Sequence, residues 1–348
     1  SSQSVPQKLL SLVHCSGYCS PGSLQGSNEF SLSELPRLRG AVTGSFLLMG
    51  QQKTPELPAQ DSVVLAVDIG GTKIAAAILD TQGQLLARSQ IATQDGAGVD
   101  LFDRLTGLMD SVVAEACLAP DVIGVGCGGP MTLHGQTVSP LNIPQWQDFP
   151  LLERLQRTYP IPAYIDNDAK AFALAEGWLG AARGESDYMA MVVSTGVGGG
   201  IVLNGTLLDG GCGNAGHIGH VIVEPQGRDC VCGAQGCLEA EVSGAAIAAF
   251  TGEPAMYAST DIRRRSGLLV GRAVSSVANL LDLRLAVVAG SVALGFGQEF
   301  FQAAQQEADR SACLAFSSGL RIVPSGCEDR GPLLGAAAVG RAGLAAQS

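Results

Sequence analysis

The chain has 348 residues, room for roughly two domains. Lys plus Arg number 21 against 32 for Asp plus Glu, a net charge of −11 that argues against nucleic acid or an anionic membrane surface as partner. Charged residues are 15% and hydrophobic ones 46%, which excludes a disordered chain, and 46 glycines without a G-X-Y period exclude collagen and imply tight turns and close backbone approaches.

Residues 1–60 are rich in Ser, Gly, Gln, Pro and Leu and lack a sustained period. They read as a weakly ordered extension, with the fold starting near Ser62. Short helices at Leu9 to Val13 and Phe30 to Leu38 would be the parts of a helix-turn-helix, which the tract's lack of basic character disfavours. Met49 is an internal candidate start. The apolar run near Ser45 to Met49 is far short of the ~18 residues of a span, and no charged segment precedes an apolar one at the start. Three clustered cysteines among ten fit a reducing cytosol with one metal cluster better than a secreted framework, so a cytoplasmic protein is expected.

Val63 to Val67 is a buried-strand run that enters Asp68-Ile69-Gly70-Gly71-Thr72-Lys73. Ile74 to Leu79 is a second strand, Thr81-Gln82-Gly83 a turn, and Leu85 to Ala92 a third strand. Leu101, Leu105, Leu108, Val112 and Val113 give helical spacing over Asp100 to Leu118. Val122 to Cys127 is a further strand, running into Gly128-Gly129-Pro130. The pattern then restarts. Tyr188 to Ser194 is a strand, Thr195 to Gly200 a glycine-rich turn, Ile201 to Leu203 a returning strand and Asn204-Gly205 a hairpin turn. Both halves open with strand, glycine-rich turn, strand, which suggests two related lobes with a nucleotide between them.

Four motifs carry chemistry. In the first, Gly70 and Gly71 let backbone N–H groups approach phosphate oxygens, Thr72 and Lys73 add a hydroxyl and a charge, and Asp68 can hold hydrated Mg²⁺. No GxxxxGK[ST] is present and a strand follows, so this is neither a P-loop nor a dinucleotide fingerprint; an ordinary glycine hairpin is the alternative. The second, Ser194 to Gly200, suits a second phosphate contact or a plain tight turn. The third is Asp166-Asn167-Asp168 at a strand-to-helix entry. There Asn167 is either a helix cap or a ligand for a polyol, with Asp168 as general base. The fourth, His220, Cys230, Cys232 and Cys237, has the spacing H-x9-C-x-C-x4-C and suits a closed, structural tetrahedral Zn²⁺ rather than a disulfide framework. The other seven of ten cysteines are scattered.

These motifs, in this order over about Val63 to Ala346, resemble the ROK family of sugar kinases and related repressors, most of all in Cys230-Val231-Cys232-Gly233-Ala234-Gln235-Gly236-Cys237-Leu238-Glu239. The resemblance implies an α/β, actin-like (ribonuclease H-like) ATPase fold: two lobes, a zinc-bound loop, and ATP and a hexose in the cleft. It implies lobes at 61–164, completed by a C-terminal helix at 332–348, and at 165–331. It makes Asp68, Gly70, Gly71, Thr72 and Lys73 the first phosphate motif, Thr195, Gly196, Gly198 and Gly199 the second, and Gly290, in Ala289-Gly290-Ser291, the adenosine turn. Asn167 resembles the sugar ligand and Asp168 the catalytic base. Gly129 and Asn142 match positions lining the sugar pocket, His220 a zinc ligand beside the sugar, and Glu239 an acceptor for sugar hydroxyls.

Three departures stand out. His217 occupies the place of the family's sugar-binding Glu, Gly128-Gly129-Pro130 replaces Pro-Gly-Pro, and Gly252 to Leu269 looks short beside the family's helical region. Neutral imidazole offers one acceptor and one donor where a carboxylate offers only acceptors, so His217 points to altered sugar selectivity or to a spare metal ligand. The expected activity is ATP-dependent phosphorylation of a hexose primary hydroxyl, with Mg²⁺ and structural Zn²⁺. Glucose comes first by family frequency; N-acetylmannosamine, N-acetylglucosamine, fructose and allose stay open. A sugar-responsive repressor or a noncatalytic sugar sensor is the competing class, disfavoured by the acidic charge and by the presence of Asp68 and Asp168. A homodimer is expected, without nucleic acid or membrane partners.

Overall fold

The computed structural model describes residues 62–94 and 100–347. The two candidate helices of the extension lie outside the described residues. Each half builds one five-stranded sheet. The first comes from β1 (Val64–Ile69), β2 (Lys73–Leu79), β3 (Leu85–Ala92), α1 (Leu101–Ala116), β4 (Val122–Cys127), α2 (Leu151–Thr158) and β5 (Ala163–Asn167), with order β3-β2-β1-β4-β5. Helix α3 (Asp168–Leu179) leads to the second sheet. That sheet comes from β6 (Tyr188–Val193), β7 (Val197–Leu203), β8 (Thr206–Leu207), α4 (Leu238–Val242), α5 (Gly244–Thr251), α6 (Thr260–Leu281), β9 (Leu285–Ala289), α7 (Ser291–Phe296), α8 (Gln298–Ser311) and β10 (Arg321–Pro324), and α9 (Gly331–Ala345) closes the chain. Its order, β10-β9-β6-β7-β8, is that of the first sheet with equivalent strands in equivalent places. In both, a first strand pairs antiparallel with its hairpin partner and parallel with the next crossover strand.

Alternation along the central strands decides what each face buries. Leu65, Val67 and Ile69 pack with Leu101, Leu105 and Met109 of α1, while Val64 and Ala66 pack with Leu333, Ala336 and Ala337 of α9. On the second sheet, Met189, Met191 and Val288 meet Leu269, Val270 and Phe300 of α6 and α8, while Tyr188, Ala190 and Val287 meet Phe172 and Ala173 of α3. Helices α3 and α9 therefore form the middle layer between two sheets, which is the actin-like arrangement. Small residues permit it. A Cβ on Gly124 of β4 would lie 2.0 Å from the Ala336 carbonyl oxygen, and one on Gly335 would lie 2.8 Å from the Ala171 backbone.

Two sequence-based expectations change. The second glycine-rich turn is shorter, because β7 already begins at Val197 and holds Gly198, Gly199 and Gly200. Gly198 and Gly200 carry no side chain where α3 lies close: a Cβ would come within 2.9 Å of Ala169 and 2.8 Å of Ala173. The closing helix spans Gly331–Ala345 rather than 332–348, with Pro332 in its first turn. The stretch Gly252 to Leu269 is fully structured. Gly252 caps α5 in the left-handed region, a single 3₁₀ turn covers Ala255–Tyr257, and Ser259 caps α6.

Candidate active site

Register places the first group of residues. Asp68, Gly126 and Asp166 share one rung across β1, β4 and β5; Ile69, Cys127 and Asn167 share the next. The C-terminal ends of these parallel strands thus deliver Asp68, the Gly128-Gly129 turn and the Asn167-Asp168 helix entry to one edge, where open α/β sheets leave a crevice. A Cβ on Gly126 would sit 3.7 Å from the Asp168 Cα, so the first turn of α3 lies over this glycine.

The β1–β2 hairpin closes with Gly70 N–H donating to the Lys73 carbonyl at 3.0 Å. Thr93, buried just beyond β3, braces the turn: its hydroxyl donates to the Gly70 carbonyl at 2.7 Å and its N–H to the Thr72 carbonyl at 3.0 Å. Asn142 packs directly on Gly71, where a Cβ would be 2.3 Å from its own. Among the described residues, the Gly71 and Thr72 amides meet no protein acceptor. The second hairpin behaves alike. Gly244 and Ala245 N–H groups occupy the Ser194 and Thr195 carbonyls, Glu239 Oε2 accepts from Val197 N–H at 2.8 Å, and the exposed Thr195 and Gly196 amides meet no protein acceptor among the described residues. Two pairs of consecutive unengaged N–H groups, one at each hairpin, have the character of anion nests. Gly290, at φ 100°, follows β9 with its Cα against the Val193 backbone, and the Ser194 and Ser291 hydroxyls bond at 2.9 Å. The second hairpin and the Gly290 turn are therefore neighbours.

Asn167 caps α3, its Oδ1 accepting from Ala169 N–H at 3.0 Å and Lys170 N–H at 3.4 Å. The cap and a ligand role coexist, since its amide nitrogen faces Gly129, 3.3 Å from where a Cβ would stand. Asp168 is exposed at the entry of α3. Desolvation raises its pKa, opposed by the Ala169 and Asp168 N–H groups, the nearby His217 and a hydrogen bond from the Asn167 side chain. Asp68 is pushed up to about 7, mainly by burial and then by the Asp168 charge, with Lys73 and Arg88 opposing. Two carboxylates thus share one crevice and repel each other. Cys127 lies buried beneath them, and burial with both carboxylates holds it as the thiol.

His217 Nδ1 lies 2.8 Å from the Asn214 carbonyl oxygen. A carbonyl can only accept, so Nδ1 carries the proton and Nε2 of the neutral ring is an acceptor. Its ring stacks beside His220, at 6.3 Å between centroids.

The His220, Cys230, Cys232 and Cys237 ligand atoms all lie within 4.8 Å of one another, with 3.7 Å separating Cys230 Sγ from His220 Nδ1 and Cys232 Sγ from Cys237 Sγ. Tetrahedral zinc with bonds of ~2.3 Å to sulfur requires S···S edges of about 3.8 Å, so the donor set fits the ion. Burial and the neighbouring thiols push Cys237 up to about 12. Crowded thiols resist ionising together, and a divalent cation reverses that. Helix α4 links this loop to the second hairpin. Glu239 reaches Val197, and buried Glu241 accepts from the Arg228 N–H at 2.6 Å, the Arg228 guanidinium and Arg265 of α6 at 2.7 Å. Burial pushes Glu241 up, but these bonds and the two guanidinium charges outweigh it and hold the carboxyl below its ordinary value.

Sequence reasoning missed Thr93, Glu241 and Lys170. Lys170, buried at 2% exposure, had one visible signal: the single basic residue of the alanine-rich α3.

No helix among the described residues is long and apolar enough to cross a membrane. A family model described as the ROK family matches residues 64–342. A curated N-acetylmannosamine kinase of Yersinia pseudotuberculosis is 37% identical over 250 residues, 67% of this chain and 84% of the relative. A ROK hexokinase from Thermus thermophilus superposes with a TM-score of 0.72 at 31% identity, covering 81% of this chain and 99% of that one. A ROK family glucokinase from Streptomyces griseus, solved with glucose and AMPPNP, gives a TM-score of 0.65 at 27% identity, covering 80% of this chain and 99% of that one.

Proposed function

The chain belongs to the ROK family, and on that premise we propose that, as a sugar kinase, it transfers the γ-phosphoryl group of ATP to the primary hydroxyl of N-acetylmannosamine. The observation that carries the kinase reading is the convergence on one crevice of Asp68, two hairpins with unengaged N–H pairs, and Asp168 at a capped helix entry. In this reading the lobes divide after β5, at Asn167 rather than at 164, because the expected boundary would cut that strand, and α9 packs on the first sheet.

Asp168 takes the proton of the attacking hydroxyl. A carboxylate whose pKa is raised by desolvation is a better base than an ordinary one. The Gly71, Thr72, Thr195 and Gly196 amides, with Lys73, meet charge on the phosphoryl oxygens. Mg²⁺ neutralises phosphate charge when bound, and Asp68 is the carboxylate placed to hold it. Asn167 and Gly129 line the sugar side, with Asn142 over the first hairpin. Glu239 keeps one oxygen on Val197 and leaves the other for a hydroxyl. Zinc on His220, Cys230, Cys232 and Cys237 would fix the loop from which α4 starts.

N-acetylmannosamine stands ahead of the glucose expected from family frequency because the chain is 37% identical to an N-acetylmannosamine kinase and 27% identical to the glucose-bound relative. A coupled ADP-release screen over N-acetylmannosamine, N-acetylglucosamine, glucose, fructose and allose tests the assignment. The highest kcat/KM should fall on N-acetylmannosamine; a higher value on glucose refutes the sugar assignment, and no turnover on any refutes the kinase reading.

A further inference from the structure

We propose that Lys170 is a positioning residue for the sugar site: its ammonium moors the segment 209–217 to the first turn of α3, and thereby sets His217 beside Asp168. The inference rests on the kinase reading above. Lys170 lies two residues beyond Asp168 on the same helix, with its side chain 2% exposed. Its Nζ donates to Asp166 Oδ1 at 2.9 Å, to Asp209 Oδ1 at 2.7 Å and to the Gly213 carbonyl at 3.2 Å. All three ammonium donors are thereby used. A buried ammonium is costly unless paired, and removing one partner is worse than never having had the pair. No step of the phosphoryl transfer uses this charge, so its burial calls for another account.

The partners supply one. Asp166 is the penultimate residue of the strand that leads to Asp168, whereas Asp209 and Gly213 belong to Asp-Gly-Gly-Cys-Gly-Asn-Ala-Gly-His, the segment that delivers His217. Gly210, Gly213 and Gly216 all have positive φ, a conformation that side-chain-bearing residues rarely adopt, so the segment winds through turns rather than through a helix or strand. Its other ties include two internal bonds, Ala215 N–H to the Asp209 carbonyl and Asn214 Nδ2 to the Cys212 carbonyl, both at 2.9 Å, a long contact from Asn214 Nδ2 to the Met131 carbonyl at 3.5 Å, Gly213 packed on Leu133 and Gly216 packed on the Gly199 carbonyl. The charged clasp at Lys170 is the strongest of these. Beyond it, the Asn214 carbonyl holds the His217 ring. One cation therefore joins the element bearing the base to the segment bearing the sugar acceptor.

The test uses the full chain and Asp209→Ala. That site is partly exposed, and the change leaves Lys170 paired with Asp166, so folding is retained. KM for sugar and for ATP are measured, with hydrogen exchange of the 210–217 amides in sugar-free protein. The expected results are a rise of about tenfold in sugar KM, ATP KM within about twofold, and faster exchange confined to the segment. In a double-mutant cycle, Lys170→Met with Asp209→Ala should be no worse than Lys170→Met alone, because both remove the same contact. Unchanged sugar KM, or additive losses, overturns the proposal. Should the wild type phosphorylate no sugar, the kinase reading fails, and exchange then decides the mooring: unchanged protection in Asp209→Ala overturns it.

Discussion

Asp68→Asn should stabilise the ligand-free protein while destroying its activity. The Asp68 carboxyl stands at about 7 in the folded chain against an ordinary 3.8, because it is buried and faces Asp168. A carboxyl raised on folding favours the folded state most while it keeps its proton, so that stability is fully present below about pH 4 and lost as pH rises through 7. Over this interval of roughly three pH units, at about 1.4 kcal/mol each, the loss is at most on the order of 4 kcal/mol at pH 8. Asp68 is only partly buried, so screening reduces the figure to about 2 kcal/mol. Asparagine keeps the shape without the charge. Calorimetry without added Mg²⁺ should therefore show Asp68→Asn melting roughly 3 °C above wild type at pH 8, and no higher than wild type at pH 4. Added Mg²⁺ and ATP should narrow the gap at pH 8 by stabilising the wild type alone. A variant that melts at or below the wild-type temperature at pH 8 would refute the claim that this carboxylate is held at a cost for the sake of its charge.

Cys232→Ser removes one donor of the proposed zinc set. Elemental analysis should find about one zinc per wild-type chain and below about 0.1 per variant chain, with a melting temperature lower by about 10 °C; a zinc-free wild type ends the assignment. His217→Phe should raise the KM for N-acetylmannosamine about tenfold or more by deleting the Nε2 acceptor, whereas His217→Glu should retain sugar binding with altered selectivity. Identical sugar kinetics in His217→Phe would remove this residue from the site. Gly124→Ala puts a methyl 2.0 Å from the Ala336 carbonyl oxygen, so the α9–β4 contact must open. Urea denaturation should show a loss of about 3 kcal/mol, at the upper end for overpacking, and a loss under about 1 kcal/mol contradicts the packing account.

Much of the fold was legible where physics is local. β1, β4 and β6 are continuous apolar runs that end at glycine-rich turns, and Asn204-Gly205 takes the two positive φ values its hairpin needs. β7 was half hidden, because Gly198 to Gly200 read as a turn until α3 is seen lying on them. The site divides in the same way. Asp68, Asn167, Asp168 and the Cys/His set announce themselves through short spacings. Thr93 on Gly70, Glu241 under Arg228 and Arg265, and Lys170 on Asp209 act across long sequence separations, so no window of sequence shows them.

The kinase account concentrates on Asp168, and Asp168→Asn tests it most directly. Sugar binding by calorimetry and phosphorylation under saturating ATP and Mg²⁺ should be measured on the same preparation. The neutral amide keeps the side chain's place at the entry of α3, so sugar affinity should stay within about threefold of wild type. Turnover should fall by about 10²–10⁴-fold or more, the contribution of a positioned base. Turnover within about tenfold of wild type would contradict the assignment of Asp168 as the group that receives the sugar's proton.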